Sequence, residues 1–62
     1  MNNKNEEVFY YKDKPYRIFC KSKIKISGTW EEVIIYECLY ENKDGKYWVR
    51  FDDEFYFLFK NL

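Results

Sequence analysis

The chain has 62 residues, 11 Lys and Arg against 11 Asp and Glu, no His, and an aromatic fraction of 24%. A chain this short forms one small domain that buries only about 60% of its unfolded surface. With no His to serve as general base and no length for a deep pocket, it points away from an enzyme. Its 7 Tyr, 6 Phe and 2 Trp equally exclude a disordered chain, which is poor in such residues.

Residues 1–7 are polar and without periodicity, and read as a disordered tail ahead of a single domain over 8–62. The tail has no apolar stretch of signal-peptide type. The longest apolar runs, Val33 to Tyr36 and Phe55 to Phe59, fall far short of the roughly 20 residues of a spanning helix. A cytoplasmic protein with no membrane contact is expected, with Cys20 and Cys38 as reduced thiols. Val8 to Tyr11 is a short strand candidate, followed by a turn at Lys12-Asp13-Lys14-Pro15. From Tyr16 the chain alternates with period two, one face largely apolar and the other basic. Tyr16, Ile18, Cys20, Ser22, Ile24 and Ile26 form one face; Arg17, Phe19, Lys21, Lys23 and Lys25 form the other. Ser27-Gly28-Thr29 breaks this strand. A second strand is expected over Glu32 to Glu41, Asp44-Gly45 reads as a hairpin turn, and Lys46 to Phe51 is the next strand. Asp52-Asp53-Glu54 interrupts, and Phe55 to Phe59 closes the chain as a strand or a short helical turn.

Charge is segregated along the sequence. Lys12, Lys14, Arg17, Lys21, Lys23 and Lys25 crowd the first half, whereas Glu31, Glu32, Glu37, Glu41, Asp44, Asp52, Asp53 and Glu54 dominate the second. A hairpin with Ser27 to Glu31 as its loop would neutralise the two halves against each other. Inside, it sets Ile24 opposite Ile34, Ser22 opposite Tyr36, Cys20 opposite Cys38 and Ile18 opposite Tyr40. Outside, it sets Lys21 opposite Glu37, Arg17 opposite Glu41 and Phe19 opposite Leu39. A two-residue Asp44-Gly45 turn then puts Val49 opposite Tyr40. Three such strands followed by short aromatic segments imply a bent sheet closing on itself, an all-β SH3-like antiparallel barrel of about five short strands. The expected core is Tyr16, Ile18, Cys20, Ile24, Ile34, Tyr36, Cys38, Tyr40, Val49 and Phe51.

Several segments carry a resemblance: Tyr11-Lys12-Asp13-Lys14-Pro15-Tyr16, then Thr29 through Tyr40, then Trp48-Val49-Arg50 and Phe55. Together they resemble the small bacterial and phage family known as domain of unknown function 1653, whose pattern runs H-Y-K-G-x-x-Y, E-T-x-E-x-x-V-x-Y-x-x-L-Y and W-V-R-P-x-x-M-F. The likeness covers nearly everything after Phe9. It implies an SH3-like barrel and no established activity, so no catalytic residue is carried over. Tyr10 stands where the family has His, Asp13 where it has Gly and Phe51 where it has Pro, and two additional residues lie between Ile18 and Ser27.

Site chemistry is sparse. Cys20 and Cys38 are too few ligands for structural zinc, and no base accompanies either thiol for nucleophilic catalysis. Asp52-Asp53-Glu54 alternate in direction on an extended chain and read as a solvated turn rather than a cation site. No catalytic, cofactor-binding or metal-binding residue is therefore expected, and no cofactor. Phe19, Leu39, Trp48 and Arg50 fall on the outward face of the expected sheet. This aromatic and aliphatic patch with an Arg has the composition of a protein-binding hot spot. The expected function is thus a non-enzymatic binding module for another protein, such as a phage or mobile-element inhibitor of a host protein. The apolar Phe55-to-Phe59 run also suits a homodimer seam. Nucleic acid is the alternative partner, held by Lys21, Lys23 and Lys25, of which Lys23 and Lys25 lack an acidic neighbour in the expected register.

Overall fold

The computed structural model describes residues 7–61; the tail expected over 1–7 therefore lies, for 1–6, outside the described residues. Strand β1 (Val8–Tyr11) turns through Lys12 and Asp13, both at positive φ (53° and 66°), into the long strand β2 (Lys14–Ile26). Two consecutive left-handed residues are what a two-residue turn of type I′ requires, and its twist matches that of the paired strands. Ser27 (φ 52°) and Gly28 (φ 83°) repeat the device between β2 and β3 (Thr29–Cys38). The sheet continues through β4 (Tyr47–Phe51), the chain then forms helix α1 (Asp52–Leu58), and β5 (Lys60–Asn61) ends the fold. All pairings are antiparallel, in the order β4-β3-β2-β1-β5. The all-β expectation holds, with one short helix. Among the described residues β4 pairs only with β3 and β5 only with β1, so hydrogen bonds do not close the sheet into a barrel.

The register differs from the expected one, and the cause is local. Because Ser27-Gly28 alone makes the turn, Ile26 pairs with Thr29, and the expected loop over Ser27 to Glu31 is instead mostly strand. At Phe19 the ladder slips: Ile18 faces Tyr36, but Cys20 faces Ile35. One extra residue in β2 is a β-bulge, which bends the strand and changes which residues share a face with β3. Before the bulge Tyr16 and Ile18 point to the core; after it Lys21 lies on the side of Ile34, while Cys20, Ser22, Ile24 and Ile26 point to the opposite side. Cys20 is therefore exposed and Cys38 buried, on opposite faces of the sheet, and the expected facing of the two sulfurs does not occur.

The second hairpin is also longer than expected. The Asn42 side chain accepts from the Asp44 backbone N–H (2.9 Å) and the Asn42 carbonyl from the Gly45 N–H (3.2 Å), which makes Asp44-Gly45 one turn within a loop between Cys38 and Tyr47. Val49 consequently faces Ile35, not Tyr40.

The core is a cluster of rings on the helix side of the sheet: Phe9, Tyr16, Tyr36, Phe55 and Phe59, with Ile34 and Cys38. Tyr40, Ile18 and Trp48 pack around it. Phe55 and Phe59 lie one helical turn apart and stack at 4.2 Å, and Phe55 meets Phe9 edge-on at 5.3 Å. Of the expected core, Cys20, Ile24, Val49 and Phe51 are outside it, because the bulge and the longer loop rotate them away. Asp52, Asp53 and Glu54 occupy the first turn of α1, where the helix dipole favours negative charge. The Tyr16 and Tyr40 hydroxyls are 2.7 Å apart, and burial, with that bond, pushes the Tyr16 hydroxyl well above the ordinary tyrosine range.

Candidate protein-binding face

The side of the sheet away from α1 has little to cover it. Row by row, it carries Ile26 with Thr29, Ile24 with Glu31, Ser22 with Val33 and Phe51, and Cys20 with Ile35 and Val49. Phe19 and Tyr47 complete it, their rings 5.0 Å apart. Ile24, Phe51 and Val49 are 42%, 41% and 54% exposed, whereas Val33 at their centre is buried. Ile24, Val33, Val49 and Phe51 line a shallow depression of about 240 Å³ with Arg50 and Glu54 on its rim. A second groove, about 350 Å³, meets it at Phe51, includes Ile26 and is bordered by Glu31, Glu32, Asp52 and Asp53. The face is an apolar strip with an acidic border on one flank.

At its far end the Glu37 carboxylate, though only 7% exposed as a residue, is fully engaged. Arg17 donates to its Oε2 through Nε (2.9 Å) and Nη2 (2.7 Å), and the Lys46 ammonium stands 3.9 Å from Oε1. Arg17 thus pairs with Glu37 rather than with Glu41, and Lys21 is not Glu37's partner.

The four residues expected to form one binding patch are not together. Phe19 lies on the apolar outer face, and Leu39 follows the end of β3 in the loop, its N–H bonded to the Pro15 carbonyl. Trp48 and Arg50 share the core side with Tyr36 and Ile34. Arg50 is a bracket: its Nε donates to the Tyr36 hydroxyl (2.9 Å), its Nη1 to Glu54 (3.0 Å), and its guanidinium stacks over the Tyr11 and Phe59 rings at 5.3 and 5.6 Å. It spans the gap that no backbone pairing closes. Desolvation raises the Tyr36 hydroxyl above its usual range, although the Arg50 bond pulls the other way.

Lys21, Lys23 and Lys25 do line up, on the helix side of the β2–β3 ribbon, but each has a neighbour. Lys21 lies over the Tyr56 ring (5.8 Å), Lys25 over Trp30 (5.6 Å), and Lys23 is ion-paired to Glu32 at 3.1 Å, correcting the expectation that it lacks an acidic neighbour. The Phe55-to-Phe59 run sends Phe55 and Phe59 inward and leaves Tyr56 and Phe57 exposed. Among the described residues no three acidic, Cys or His side chains gather to hold a metal ion, and no helix is long and apolar enough to cross a membrane. No family model, no curated protein and no solved structure matches the chain.

Sequence reasoning missed Ile24, Val49 and Phe51 as surface residues because their alternation alone suits either side. Ser27-Gly28 was the readable signal, since a two-residue turn there already shifts the register by an odd step.

Proposed function

We propose that the protein is a non-enzymatic binding module that grips another protein through the outer apolar face of β2, β3 and β4. One observation carries this: Phe19, Ile24, Tyr47, Val49 and Phe51 are all exposed on one side of one sheet, although the chain has built its core on the other side. Contiguous exposed apolar surface on a small domain marks an interaction site. The acidic border at Glu31, Glu32, Asp52 and Asp53 suits a partner whose own apolar strip is flanked by cations. The binding surface is thus Phe19 with its neighbours on the outer face, whereas Trp48 and Arg50 serve the fold. Inhibition of a host protein by a phage or mobile element is the role we attach to this reading, with the cytoplasm as its place.

The SH3-like form belongs to the same proposal. It is supported by the strand order, by a bulged β2 that serves both halves of the sheet, and by a short helix ahead of the last strand. Kinship with domain of unknown function 1653 gains support from Asp13, whose φ of 66° is the conformation a glycine at that turn position would supply.

Capture from the native host tests the reading. Ile24→Asp is expected to weaken partner retention about thirty-fold or more, the ~2 kcal/mol of a hot spot, with added salt having little effect. Lys23→Glu with Lys25→Glu is expected to leave retention intact. The reverse pattern, loss with the lysines and a steep salt dependence, would identify a nucleic-acid binder instead.

A further inference from the structure

Strand β4 has one bare edge, and the hydrogen-bond phase says what that edge presents. The Cys38 N–H donates to the Lys46 carbonyl at 3.0 Å, so the bonded pairs of the β3–β4 ladder fall on Trp48 with Tyr36 and on Arg50 with Ile34. Tyr47, Val49 and Phe51 therefore turn their N–H and C=O groups away from β3, toward the side on which no described strand pairs with β4. The other long bare edge, β2 beyond its bulge, carries Lys21, Lys23 and Lys25, the usual guard against strand addition. The free groups of β4 belong to two aromatic residues and a valine. Arg50, the one charge on β4, is held inward on Tyr36 and Glu54, and with no bulge or proline to guard it the edge is a template for another strand.

We propose that the occupant is a second copy of this chain, with the two β4 strands paired antiparallel about a two-fold axis at Val49. In that register the free backbone groups of Tyr47 meet those of Phe51 of the other copy, and Val49 meets Val49. Every cross-strand pair is then complementary. Tyr47 lies beside Phe51 on the outer face and Trp48 beside Arg50 on the inner face. The neighbouring registers that keep the backbone in phase are worse. Centring on Trp48 sets Lys46 against Arg50, and centring on Arg50 sets two guanidinium groups against each other. Self-complementarity of this kind is what a two-fold interface demands. The dimer would also join the two outer apolar faces into one surface, but it does not depend on the reading of that face as a binding site.

Sedimentation equilibrium over a wide concentration range tests this. The wild type is expected to show a concentration-dependent monomer–dimer equilibrium. Val49→Lys, at an exposed position where the axis would bring two ammonium groups together, is expected to weaken it at least about tenfold. Val49→Glu alone is expected to weaken it likewise, and an equimolar mixture of the two variants to restore it, because the axis sets position 49 against itself, with circular dichroism showing each variant folded. A wild type that stays monomeric throughout, a dimer indifferent to Val49→Lys, or a mixture no better than its two components would overturn the proposal. Ile24 lines the same depression as Val49 but lies on β2, two strands from the free β4 edge, so Ile24→Asp is expected to lose partner capture while keeping the dimer, which separates the two readings.

Discussion

Phe55→Ala is expected to leave the protein largely unfolded. Phe55 is fully buried, stacks on Phe59 at 4.2 Å and meets Phe9, Tyr36 and Tyr56 at 5.2–5.4 Å between ring centroids. Truncating a buried Phe costs about 3–5 kcal/mol, counting the cavity left behind. A domain of this length has roughly 3–9 kcal/mol in all, at ~0.05–0.15 kcal/mol per residue. Phe55 is the buried residue of α1, so its truncation removes the main contact of that helix with the core. Phe57→Ala, two positions on but 77% exposed, is expected to change stability by no more than about 0.5 kcal/mol. Urea denaturation followed by circular dichroism separates the two. Equal midpoints would mean that α1 does not pack on the sheet as described.

Arg50→Ala is the second substitution with a large expected effect, about 2–4 kcal/mol. It leaves the Tyr36 hydroxyl, in the core, without its donor, and it removes the cation from over Tyr11 and Phe59. The ion pair with Glu54 adds little, since Glu54 is exposed. Arg50→Lys is expected to recover less than half of the loss, because one ammonium cannot reproduce a planar group that stacks and donates along several directions. The same denaturation midpoints measure both. A neutral Arg50→Ala would return Arg50 to the role of a surface contact, as its composition first suggested.

The parts of the fold legible in the sequence are those decided by neighbours along the chain. Val8–Tyr11 and Tyr47–Phe51 follow from their β-branched and aromatic content, and the turn at Lys12-Asp13 from the tolerance of Asp for left-handed backbone. The bulge at Phe19 was not legible. No Gly or Pro marks it, and the one interruption of the pattern, apolar Phe19 between Arg17 and Lys21, does not by itself signal an extra residue. Charge matching pointed to Lys21 with Glu37, yet surface ion pairs are worth too little to choose a register against a two-residue turn. For β4 both faces of Tyr-Trp-Val-Arg-Phe are apolar or amphipathic, so only its partner strand decides that Arg50 and Trp48 face inward. The stack of Phe55 on Phe59 had a signal, an i, i+4 spacing behind three acidic residues, which fits a helix start better than a strand.

The exchange of faces at the bulge is the premise of the proposed binding face, and the two thiols report on it directly. Native protein treated with a thiol-specific alkylating reagent is expected to be modified once and quickly, at Cys20, with Cys38 reacting only after denaturation. Equal protection of both, or ready oxidation to a Cys20–Cys38 disulfide, would contradict the account, because it would place the two sulfurs together in the interior.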